Sequence, residues 1–267
     1  MGRKSKVKEI TYGIFGSLVD ILIWQVALVG VSVGKYGSRG VYQAFTEADE
    51  FLNKVNHTTL AATWHQLLKK GLITYKKRNN LYSPQITEFG RKRLTKTLPH
   101  YQAKRPWDKR IYLITYDIPE IAHKKRDQFR LFLKNLGCKL LQESNWLTPY
   151  NPRELVNGFV QKFKIPGTVI VSDIGQDGGV GETTIQDLLV KLYLLEKIND
   201  KYEEFLKDAR GDEGSWRDLI FQYLSILKDD PQLPFALLPQ WWLGDKAYHV
   251  YKRLKERYII SSRPRVK

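Results

Sequence analysis

The chain has 267 residues, too many for one small domain and enough for two or three, and with 42% hydrophobic, 12% aromatic and 27% charged residues it excludes wholesale disorder or a fibrous repeat. One cysteine, Cys138, excludes an internal disulfide framework and a cysteine-rich zinc site, which suits a reducing, cytoplasmic setting. The 44 Lys and Arg against 28 Asp and Glu leave +16, and the excess is polarised: 16 basic and 6 acidic residues in 1–100, 9 and 4 in 101–137, 19 and 18 in 138–267, so the polyanion-facing part is expected at the N-terminal end.

Ile10 to Val33 carries a single charge, Asp20, and follows Arg3, Lys4, Lys6 and Lys8, a pattern that raises a membrane anchor. Gly13, Gly16, Ser17 and Asp20 fall on one helical face, with Ile14, Leu18, Ile21 and Leu22 elsewhere, which predicts a half-buried helix of a soluble protein and no membrane. An anchor would also set the basic residues 69–96 across the bilayer against the positive-inside bias. No small-residue cleavage site stands out after the run, against a cleaved signal peptide.

Val55 to Leu94 reads as helix, turn, strand, hairpin, strand, helix. Leu60, Trp64, Leu67 and Leu68 make an apolar stripe at spacings of three and four, Asn56 or Thr58 can cap its start and Gly71 ends it, giving a helix over about 57–70. Leu72 to Tyr75 and Leu81 to Ser83 are strand candidates around "KKRNN", whose Asn79 and Asn80 tolerate a tight hairpin. This order, with "LLKKGLI" and "ITEFGRKRL", resembles a winged helix-turn-helix, which implies a helix in the major groove and a wing on the backbone. The helical face opposite the stripe holds Thr58, Thr59, Ala62, His65, Gln66 and Lys69; Gln66 can read an adenine edge, the threonines can meet a thymine methyl or a phosphate, and Lys69, Lys70, Lys76, Lys77 and Arg78 supply phosphate contacts. No arginine stands on that face, which argues for weak sequence specificity, and winged helices also serve as protein-docking scaffolds. His65 has no second His or acidic partner at i+4 and reads as a partly exposed spacer rather than a metal ligand.

After the linker 99–109, residues 110–185 read as strand, helix, two strands, helix, strand, the order of a ferredoxin-like fold. "YDIP", Arg126, "LKNLG" and "QESNW" resemble the CRISPR-associated ferredoxin-like nuclease of the spacer-integration complex. That resemblance implies Asp117 as a ligand for Mg²⁺ or Mn²⁺, paired across a homodimer; the alternative is a carboxylate that caps the following helix or pairs with a basic neighbour. "DIGQDGGVGETT" lacks the features of a phosphate loop or a calcium loop and reads as a plain loop.

In residues 186–267, Leu188, Leu192, Leu195, Ile198, Tyr202 and Phe205 predict one long amphipathic helix, followed by a helix from near Trp216, a Pro-rich turn and a final helix. Asp230, Pro231, Leu233, Pro234, Leu237, Leu238, Pro239, Trp242, Gly244 and Ala247, together with "RPWDKRIYLITYDIP" and the winged-helix segment, resemble the PaaX family of bacterial transcriptional repressors over nearly the whole chain. The resemblance implies an α+β protein in three parts, a winged helix over 1–98, a ferredoxin-like domain over 110–185 and a small helical domain over 186–267. It implies a homodimer on double-stranded operator DNA, released by a small-molecule effector of the acyl-CoA class, with no cofactor. The chain departs from the family in lacking the usual recognition-helix arginine and in its apolar first helix, and no residues mark an acyl-CoA pocket. The alternatives are a metal-dependent nuclease working through Asp117 and a winged-helix adaptor that recruits proteins.

Overall fold

A computed structural model describes residues 17–29, 57–78, 81–175, 184–211 and 216–261. Gly13, Gly16, Asn56, Asn79, Asn80 and most of the Gly-rich loop lie outside them. The protein is α+β and divides into two compact units, one of Met1–Tyr101, Tyr202–Asp229 and Gly244–Lys267, the other of Gln102–Lys201 and Asp230–Leu243. This partition differs from the three consecutive parts read from the sequence, because C-terminal helices count with the N-terminal residues.

In the first unit, α1 (Leu18–Val29) is followed by α2 (His57–Lys69), the antiparallel pair β1 (Ile73–Arg78) and β2 (Leu81–Ile86), and α3 (Glu88–Thr97). Asp20, Ile21, Leu22, Ile23, Trp24 and Val26 of α1 are all buried. A helix this apolar has to be covered by protein or lipid over most of its surface, and here α2 and α3 pack on it while Trp24 meets Phe221 of α8 (Trp216–Asp229) at 4.7 Å between ring centroids. Asp20 is not on a wet face, as its helical position suggested. Arg93 Nε donates to it at 2.6 Å, and Ser17 Oγ donates at 2.5 Å. None of the described helices is long and apolar enough to cross a membrane.

The second unit holds β3 (Tyr112–Asp117), α4 (His123–Asn135), β4 (Lys139–Gln142), β5 (Asn145–Thr148), α5 (Arg153–Phe163) and β6 (Thr168–Asp173). The sheet order β4-β5-β3-β6, antiparallel throughout, is that of a ferredoxin-like fold. Alternation along β3 sends Ile114 and Tyr116 into a core with Phe129, Leu133, Trp146 and Val156 under α4 and α5. The opposite face is covered at Ile111 and Leu147 by Ile185, Leu189 and Tyr193 of α6 (Ile185–Tyr193) with Leu233 and Leu237. The single long helix expected from 186 onward is therefore two. Leu194 takes a left-handed φ of 54° and ends α6, and α7 (Leu195–Asp208) starts at once on a new apolar face. The chain ends with α9 (Gly244–Ser261), back in the first unit.

Candidate nucleic-acid interface

The apolar stripe of α2 decides which of its residues face outward. Leu60, Trp64 and Leu67 are at most 2% exposed, while Thr58, Thr59, Ala62, His65, Gln66, Lys69 and Lys70 are all exposed. The outward face computed from helical spacing is thus the outward face of the molecule. Its residues are mainly hydrogen-bonding or cationic groups that a duplex can use.

Three local devices set this helix against the hairpin. Gly71, at φ 63°, closes α2 with paired bonds from Leu72 N to Leu67 O (2.9 Å) and Gly71 N to Leu68 O (3.0 Å), which turn the chain directly into β1. The Trp64 indole N–H donates to the Tyr75 hydroxyl at 2.8 Å, tying the helix to the first strand. Thr87 accepts from Gly90 N at 3.1 Å, capping α3, and its hydroxyl donates to Gly71 O at 2.6 Å, so one side chain joins the end of α2 to the start of α3. Gly90 has to be glycine, because a Cβ there would stand 2.1 Å from Leu72 O. Sequence reading missed Tyr75 and Thr87 as bracing residues; a threonine three positions before a glycine at a helix start was the available signal for the second.

The hairpin carries Lys76, exposed, and Lys77 and Arg78 on β1, opposite Tyr82 and Leu81. In the same unit, α3 adds exposed Arg91 and Lys96, while Lys92 pairs with Glu88 at 3.1 Å and Arg93 is turned inward to Asp20, which raises its already high pKa through that hydrogen bond.

Asp117 stands elsewhere, exposed at the end of β3 and opposite Thr168. Glu120, the acidic side chain next in sequence, is held by both terminal nitrogens of Arg126 at 2.8 and 3.1 Å, and that hydrogen bonding keeps its carboxyl below the usual range. Among the described residues no three His, Cys, Asp or Glu side chains come together. One carboxylate within the chain does not fit a divalent cation that asks for six oxygen ligands. Cys138 is buried, and burial pushes its thiol up to about 11, far from a reactive thiolate.

Comparison with known proteins agrees with this architecture. Residues 104–183 match the PaaX protein central Cas2-like domain, and residues 193–266 match the PaaX-like protein C-terminal domain. The chain belongs to the PaaX-like family. That family is known as one of regulators, and its central domain is the ferredoxin-like unit seen here. No curated protein matches the chain. Among solved structures, the PaaX-like chain resembles the uncharacterized protein Rv0674 from Mycobacterium tuberculosis, with a TM-score of 0.52 and 15% identity over 78% of this chain and 86% of that one, a likeness of fold. The helix and hairpin of 57–86 lie outside both matched ranges.

Proposed function

We propose that this PaaX-like protein is a cytoplasmic, homodimeric transcriptional repressor that binds double-stranded DNA through α2 and the β1–β2 hairpin. One observation carries the reading: every outward position of α2 is exposed and free of large apolar groups, while its apolar stripe is sealed beneath. Thr58, Thr59, Ala62, His65 and Gln66 face the base edges, and Lys69, Lys70, Lys76, Lys77 and Arg78 contact phosphates. Two-fold symmetry then asks for half-sites about one helical turn apart, or a multiple of it. A small-molecule effector of the acyl-CoA class releases the DNA to the extent that it favours a non-binding state.

The test is fluorescence anisotropy with random-sequence duplex DNA at two salt concentrations, with Mg²⁺ or with chelator, followed by a gel of the DNA. Binding that weakens steeply with salt and leaves the DNA intact is expected, and the Lys76→Ala, Lys77→Ala, Arg78→Ala triple variant lowers the log–log slope by roughly one to three. No binding at low salt overturns the reading. Fragments that appear with Mg²⁺ and vanish in Asp117→Asn would replace it with a nuclease.

A further inference from the structure

The near-neutral sum over residues 138–267 conceals two opposite segments. Residues 138–243 carry 11 basic and 16 acidic side chains, and residues 244–267 carry 8 and 2. Helix α9 opens that basic end, and it belongs to the same compact unit as α2 and the hairpin.

The buried side of α9 is firmly held. Ala247 and Leu254 are buried, Tyr248 stacks on Tyr101 at 3.8 Å with 10° between the planes, and Tyr251 stacks on Tyr223 at 4.3 Å. The Tyr101 hydroxyl donates to Asp245, so one of the two acidic groups of the helix is already occupied. At 100° per residue, Lys246, Arg253 and Arg257 then lie within about 40° of one another on the opposite side, over about 16 Å of helix length. All three are exposed, and exposed His249 lies about 40° to one side of them. Among the described residues none of Lys246, Lys252, Arg253 or Arg257 is ion-paired, and exposed Glu256 lies beside the row, about 60° from Arg253.

We infer that this face of α9 is a second contact for the phosphate backbone of duplex DNA, outside the contacts of α2 and the hairpin. The inference rests on the DNA-binding reading and extends it. A rigid row of cations without internal partners matches a partner with one negative charge per roughly 1.7 Å of its axis, and each phosphate neutralised adds about 0.9 to the salt slope. A C-terminal helix fixed to the reading unit by stacked tyrosines presents that row at no further ordering cost in its backbone.

The experiment is the same salt titration on the full chain, comparing wild type, the Lys246→Ala, Arg253→Ala, Arg257→Ala triple variant, and Glu256→Lys. The triple variant is expected to lower the log–log slope by about one to three with an unchanged melting temperature, and Glu256→Lys to raise the slope by about one. Because Glu256→Lys removes no contact to the core, it reads the same face even where the triple variant folds poorly. An unchanged slope in both variants overturns the inference and leaves the α2 reading standing, whereas no DNA binding by wild type overturns both. Vesicles with 30% anionic lipid are the control: binding to them that the triple variant loses, with its DNA slope unchanged, assigns α9 to a lipid surface and overturns the inference.

Discussion

Arginine is used differently in the two units. In the second unit Arg105, Arg110, Arg126, Arg130 and Arg153 all hold partners: Arg105 donates to Leu233 O at 3.0 Å and lies over Phe235, Arg110 and Arg153 share Asp173, Arg126 grips Glu120, and Arg130 reaches the Tyr116 hydroxyl. In the first unit, of the arginine side chains the structure describes, Arg93 is anchored, whereas Arg91, Arg210, Arg253 and Arg257 engage none of the described residues. A net charge of +16 therefore overstates what one region offers a polyanion and understates what the other does. Cations already spent on internal acceptors are poor phosphate ligands, since leaving a carboxylate or a carbonyl costs what the phosphate returns.

Substitutions sharpen this contrast, because losing an engaged arginine is expected to cost stability and losing an idle one is not. The largest effect is expected at Arg93→Met, which strands the buried Asp20 carboxylate between α1 and α3. Breaking such a pair costs about 3 kcal/mol, with the partial exposure of Arg93 holding the value toward the low end, and urea unfolding measures it. Arg105→Met comes next, at about 2 kcal/mol for two hydrogen bonds to backbone carbonyls and the contact with Phe235. Lys164→Gly is expected to stabilise by up to about 1 kcal/mol, since Lys164 ends α5 at φ 48° in the left-handed region where glycine is unstrained.

A smaller effect appears in the acid limb of the second unit. Hydrogen bonds from Arg110 hold Asp173, and those from Arg126 hold Glu120, below the ordinary carboxylate range. Their folded values lie below the unfolded ones, so both pairs stabilise the fold above the ordinary value of about 4 and lose that contribution as pH falls through the lowered values. Asp173→Asn should make unfolding between pH 5 and 2 visibly less pH-dependent. Least of all, Arg257→Ala should change stability by no more than about 0.5 kcal/mol. A loss of 2 kcal/mol there would break the contrast and make Arg257 a structural residue.

What could be read in advance follows the range of the interactions involved. The stripe of α2, its glycine stop and the strand order of the ferredoxin-like unit were legible because they are local patterns with a period. The side of α1 that Asp20 occupies was not, because it depends on Arg93 and on Phe221, both remote in the chain. Tyr193 and Leu195 are both buried two positions apart, a slip that no single helix stripe allows, so the break at Leu194 left a trace that counting at spacings of three and four passed over. The exposed face of α2 is legible residue by residue, whereas the basic row of α9 is hidden in any charge sum that includes the acidic segment before it.

The enclosure of α1 also bears on how the protein can be dissected. A fragment ending at Tyr101 keeps the helix and hairpin of 57–86 yet removes α8, and with it the Phe221 ring that covers Trp24. The fragment would bare an oily helix to water and clump. The shortest piece that keeps α1 covered is then not a contiguous stretch of gene but the N-terminal hundred residues joined to 202–229 and 244–267, which makes those C-terminal segments a built-in solubility partner of the first hundred residues.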